Sequence, residues 1–93
     1  MRAYKAGSTL GVVTDDGRSG LLGKPHVFHG DYDLHEGYWH EKTGHLFLKW
    51  DKLGWYYYRD VTRELWHLLR TSPEPKKDFR RLRLHEKPYQ RIG

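Results

Sequence analysis

The residues whose types and spacing could carry chemistry form three groups, and the most concentrated is cationic. Lys76, Lys77, Arg80, Arg81, Arg83, Lys87 and Arg91 crowd the end of the chain, with Arg70 just upstream. On a helix, positions 76, 77, 80 and 81 share one broad face and 83 borders it. Several of these side chains could therefore neutralise neighbouring phosphates together. Tyr89, among them, offers a ring on which a base could stack. The competing reading is a charged, solvated helix face that serves only to keep the protein dispersed.

The second group is aromatic: Trp50, Trp55, Tyr56, Tyr57 and Tyr58. Successive side chains of a strand point to opposite faces, which sends Trp55 and Tyr57 one way and Tyr56 and Tyr58 the other. Rings on the open face of a sheet are stacking platforms for single strands, so one of these pairs is a candidate binding surface.

The third group is His26, His29, His35, His40 and His45, interleaved with Asp31, Asp33, Glu36 and Glu41. Their nitrogen and oxygen donors suit zinc or a similar ion, but the spacing matches no ligand framework, and loop hydrogen bonding is the expected role. His29 and Asp31 have no accompanying nucleophile or oxyanion element, which leaves no catalytic residue. Gly17 and Gly23 superficially frame a phosphate loop ahead of Lys24. Five residues separate them instead of four, and Pro25 stands where Ser or Thr should hold magnesium. No enzyme, metal or cofactor is expected.

The charge is unevenly placed. The chain carries a net +5, yet residues 1–58 balance seven Lys/Arg against seven Asp/Glu, while residues 59–93 hold ten against five. Clustered cations favour an anionic partner, with RNA or DNA ahead of an acidic protein surface. The absence of cysteine excludes disulfides, thiolate metal sites and cysteine nucleophiles. No apolar run approaches a membrane span and the N-terminus lacks a secretory hydrophobic block, so a soluble, cytoplasmic protein is expected.

These groups need elements to position them. At 93 residues the chain has room for one domain, whose modest core must draw on large rings. Leu46, Leu48 and Trp50 alternate, Asp51-Lys52-Leu53-Gly54 supplies a turn, and an aromatic strand resumes at Trp55, together a β-hairpin. Residues 37–41 add a third strand. Residues 1–25 hold five of the ten glycines and read as turns, with one strand over 9–14, an Asp-Gly turn and a weak return strand at Leu21-Leu22. Leu65, Trp66, Leu68 and Leu69 recur at helical spacing behind Asp60 or Thr62 as cap, which predicts a helix over 62–71. Pro75 suits the first turn of a second helix over 76–85, and Pro88 opens an extended tail. The expected fold is α+β, a small antiparallel sheet of three or more strands packed on two short C-terminal helices.

Leu46-x-Leu48-x-Trp50, Gly54, Tyr56-x-Tyr58, Val61, Leu65-Trp66 and Leu69 resemble the KTSC family. That family is named for a domain at the C-terminus of some lysyl-tRNA synthetases and also occurs as a small stand-alone protein. The match runs ungapped from Leu46 to Arg70, and Pro88-Tyr89-Gln90-Arg91-Ile92 is similar to the family's Pro-Tyr ending. Thr62 stands where the family has proline, and residues 71–81 lack the family's Gly and Asn. The resemblance implies that Tyr56, Tyr58 and Trp66 belong to the core. Trp55 and Tyr57 are then left for function, for packing on the N-terminal segment, or for a homodimer contact.

Residence beside a tRNA-binding enzyme points to RNA. The expectation is a non-enzymatic RNA-binding module using Lys76, Lys77, Arg80, Arg81, Arg83, Lys87, Tyr89 and Arg91, with Trp55 and Tyr57. The alternative is a protein-interaction module, such as a small inhibitor or adaptor of the kind phages and mobile elements encode, engaging a host protein through Trp55, Tyr57 and the basic helix.

Overall fold

Turn chemistry divides the chain into short strands, as a computed structural model describing residues 1–93 records. Strands β1 (Arg2–Ala6), β2 (Thr9–Val13) and β3 (Ser19–Gly23) form a three-stranded antiparallel sheet in that order. Strands β4 (His26–Val27), β5 (Leu34–His40), β6 (His45–Trp50), β7 (Gly54–Tyr58) and β8 (Tyr89–Arg91) form a second antiparallel sheet, also in chain order. Between β7 and β8 lie helices α1 (Arg63–Arg70) and α2 (Pro75–Arg81) and a single 3-10 turn, Leu84–Glu86. The α+β class and the two C-terminal helices are as expected. The weak return strand is a full strand, and β1 and β4 are additional.

Both faces of the five-stranded sheet are covered. On one, Leu46, Leu48 and Tyr58 pack with Leu34, Phe28, Val61, Leu69, Phe79 and Leu84, so this core lies between sheet and helices. Trp50 Nε1 donates to the Tyr58 hydroxyl at 2.9 Å, and burial pushes that hydroxyl's pKa up to about 12. Gly37 sits opposite Leu48, where a Cβ would lie 2.8 Å from the Phe28 ring. Its missing side chain is what lets Phe28 lie flat against the strand.

The other face carries a smaller core of Leu10, Phe47, Trp55 and Ile92 beneath the three-stranded sheet. The two sheets are stitched at Ile92: its N–H donates to the Trp55 carbonyl at 2.8 Å, and its carbonyl accepts from Ala3 N–H at 2.7 Å. Lys5 reaches across to Glu36 at 2.6 Å.

The first helix starts at a side-chain cap, the second at a proline, and the second stops for a packing reason. Thr62 accepts from the Leu65 N–H at 3.2 Å, and Glu64 and Arg70 suit the dipole at the two ends of α1. Pro75 takes the first turn of α2. The second helix ends at Arg81, four residues short of the predicted His85. Continued as a helix, Leu84 would project about 140° away from the inward-facing Phe79. Arg83 instead takes a left-handed conformation (φ 58°), and the 3-10 turn returns Leu84 to the core, where it is fully buried.

Candidate nucleic-acid interface

Trp55 and Tyr57 do not form the expected open platform. Trp55 is 5% exposed, locked against Leu10, Phe47 and Ile92. Tyr57 is half-buried on the same side, 6.0 Å from Phe47, with its hydroxyl donating to Gln90 Oε1 at 3.2 Å. The physical reason is the N-terminal sheet. Leu10, Val12, Ala3 and Leu22 of that sheet pack into the same cluster as the rings, and burying so much aromatic surface is strongly favourable. Of the three uses open to these rings, packing on the N-terminal segment is the one the structure shows.

The cationic segment is exposed, and the structure sorts it into two sets. Lys76 Nζ pairs with Asp33 at 2.7 Å, Lys77 with Glu74 at 3.0 Å and Arg81 with Asp78 at 2.5 Å. The Asp33 carboxylate holds the Lys76 ammonium above its ordinary pKa. Asp31 fastens the same helix end: its carboxylate accepts from the N–H groups of Asp33, Leu34 and Lys76. Burial works to raise its pKa, but these bonds together hold it below the ordinary value. Lys76 thus serves to dock α2 onto the loop before β5. Arg80, Arg83, Lys87 and Arg91 make no such pairs and remain available to a partner.

One of the available cations, Arg91, lies on the strand that borders an aromatic hollow. Tyr89 is 62% exposed, with its ring 6.1 Å from Tyr56 and 6.0 Å from Tyr58. Tyr56, Tyr58, Tyr89, Phe79 and His85 enclose a depression of about 160 Å³. The strand register pairs Arg91 with Tyr56 across β7 and β8. Lys87 leads into β8, and Arg80 and Arg83 flank the inner residues of α2 and its exit. Nδ1 of His85, a residue that lines the hollow, is buried without a hydrogen-bond partner. His85 was not expected here. Its position, three residues before Pro88, carries no periodic signal because the chain has left the helix.

A second aromatic and cationic feature went unread in the sequence. Trp39 and Trp66, both half-buried, lie in an open groove of about 790 Å³ between β5 and α1, together with Glu41, Arg63, Glu64, His67 and Arg70. A smaller recess continues it past Lys24 and His26. Arg63 rests its guanidinium 5.4 Å from the centre of the Trp39 ring and pairs with Glu41. The available signal was Arg63-x-x-Trp66-His67-x-x-Arg70, spaced to place all four on one side of a helix. The packing of Trp66 against the core obscured it, since one ring can serve both.

The histidine and acid group is dispersed. His26 packs edge-on against Phe28 and Trp66, Asp31 and Asp33 hold α2, and His35 faces Asp51 at 3.5 Å. No three such side chains converge as a metal would need.

No helix of the chain is long and apolar enough to cross a membrane. Comparison with family models, curated proteins and solved structures finds no match.

Proposed function

We propose that this chain is a non-enzymatic, cytoplasmic binding module for single-stranded nucleic acid, RNA in the first place, and that the β8 edge is its contact surface. The observation that carries the reading is the exposed Tyr89 ring at the rim of an aromatic hollow, with Arg91, which makes no ion pair, two residues further along the same strand and opposite Tyr56. A base stacked on Tyr89 would place its flanking phosphates near Arg91, Lys87 and Arg83. Stacking on an accessible ring contributes about 1–3 kcal/mol per base whatever the sequence. The resemblance to the KTSC family, which includes a domain of a tRNA-binding enzyme, points to the same partner class.

The protein-interaction alternative draws less support, because Trp55 is buried and Tyr57 half-buried beneath the chain's own sheet. Its remaining contact surface is the cationic segment meeting an acidic partner.

Binding of the purified chain to a fluorescently labelled oligouridylate tests the reading. Tyr89→Ala and Arg91→Ala should each weaken binding several-fold, and the pair should nearly abolish it. Lys77→Ala, at a cation already paired with Glu74, should change little. Absent binding, or equal losses from Lys77→Ala and Arg91→Ala, would overturn it.

A further inference from the structure

The groove between β5 and α1 is built differently from the β8 edge, and its charges are ordered along its length. At the start of α1, Arg63 and Glu41 pair with each other. That leaves Glu64, exposed in the first turn, as the groove's free carboxylate. At the other end of the same helix Arg70 is exposed, its guanidinium 3.3 Å from Nδ1 of His67, and Lys24 borders the continuing recess. Glu64 and Arg70 are six positions apart, about 9 Å along the helix axis. Between them stand the two tryptophans.

A ligand that matches this order has a flat aromatic body, an anionic group at one end and hydrogen-bond donors at the other. A nucleotide unit has that polarity: phosphate, sugar, base. Among the bases, guanine presents two parallel donors, N1–H and the N2 amino group, which a carboxylate can accept together as it accepts the guanidinium fork. Uracil offers one N–H between two carbonyl oxygens, and those oxygens would be repelled by a carboxylate. The volume of about 790 Å³ lies within the range that accommodates small ligands.

We propose that this groove is a guanine-selecting subsite for one nucleotide of a single-stranded nucleic acid. The base lies against Trp39 and Trp66, its donor edge meets Glu64, and its phosphate meets Arg70 and Lys24. The Arg63 guanidinium now over Trp39 is an exposed, surface-paired group, so an incoming base can displace it at small cost. The inference rests on the single-strand reading above but concerns a different surface.

The test compares a labelled dodecamer of uridine with the same dodecamer carrying one central guanine. The tryptophans themselves are left intact, because both pack on the core and Trp39 Nε1 also donates to the Val61 carbonyl. A two-donor contact to one base is worth about tenfold in discrimination at an exposed site. The guanine strand should therefore bind about tenfold more tightly. Glu64→Gln, which offers one acceptor and one donor, should reduce that preference to less than threefold while leaving oligouridylate affinity unchanged. Lys24→Ala with Arg70→Ala should weaken the guanine strand selectively.

Equal affinity for the two strands overturns the subsite while the β8 reading stands, and so does a preference that survives Glu64→Gln. Failure of both strands to bind removes the parent reading as well. Competition by guanosine monophosphate but not by uridine monophosphate would support the same pocket chemistry, and equal competition by the two would count against it.

Discussion

The division of the cationic segment into paired and available side chains makes a quantitative statement about salt. Each phosphate neutralised on a single strand contributes about −0.7 to the slope of log affinity against log salt. Seven cations were read from the sequence between Lys76 and Arg91. Lys76, Lys77 and Arg81 are already satisfied by Asp33, Glu74 and Asp78. Four remain, which gives a slope of about −2.8, against about −4.9 if all seven engaged. Raising potassium chloride from about 50 to about 200 mM would then weaken dodecauridylate binding roughly 50-fold in the first case and roughly 900-fold in the second. Fluorescence anisotropy across that range measures it directly. Arg91→Ala should flatten the slope by about 0.7, and Lys24→Ala with Arg70→Ala should leave it alone, because uridine does not select the groove. A slope flatter than about −1.5 would mean that these side chains do not meet phosphates, and one near −5 that the ion pairs open on binding.

Three further expectations concern stability. Gly54 has φ 87°, and a methyl there would overlap the Gly93 carbonyl that accepts the Trp55 N–H. Gly54→Ala should therefore cost about 2 kcal/mol or more, from backbone strain and the lost bond together. Urea unfolding followed by tryptophan fluorescence will register it, and a change under about 0.5 kcal/mol would contradict the close seating of the C-terminal residue on β7. Arg83→Gly separates fold from binding: it should raise stability by about 1 kcal/mol by relieving the left-handed backbone, yet flatten the salt slope by about 0.7. Burial, then nearby positive charge, lowers the pKa values of His26 and His45 below the ordinary 6.5. The folded chain therefore favours their neutral forms and the unfolded chain binds more protons. Stability is full above pH 6.5 and declines as pH falls below it, so the melting temperature at pH 5 should lie below that at pH 7.5. An unchanged melting temperature would refute the burial of both rings.

What the sequence made legible is what local pattern decides. Leu46 to Tyr58 alternates with a turn in its middle, and Thr62 followed by Leu65, Trp66 and Leu69 can hardly be anything but a capped amphipathic helix. What it hid depends on tertiary neighbours. The strand at Arg2–Ala6 has no clean alternation and exists because it can pair with β2 and close on Ile92. Trp55 looked available only because nothing in a period-2 pattern says which face a glycine-rich sheet will cover. The cations of α2 looked equivalent because Asp33 lies more than forty residues away in the chain from the Lys76 it neutralises. The groove was missed because Trp39 and Arg63 belong to elements that meet only in the fold.

The two aromatic and cationic features share one sheet but lie on different strands of it, β5 and the edge strand β8. Between β5 and β8 lie three strand spacings, about 14 Å. A single strand that stacks a uridine on Tyr89 and seats a guanine by Trp66 must cross the helical layer between them. The second contact is then intramolecular, with an effective concentration set by the nucleotides that separate the two bases. With guanine adjacent to the stacked uridine the linker cannot span the distance, and the strand should bind no better than oligouridylate. As uridines are inserted, affinity should rise to a maximum and then decline slowly, because a longer linker dilutes the second contact. Guanosine monophosphate added to hexauridylate should show no such gain, since covalent linkage is its source. An affinity indifferent to the spacing would place guanine at the β8 edge itself, and the groove would then have no part in recognising the strand.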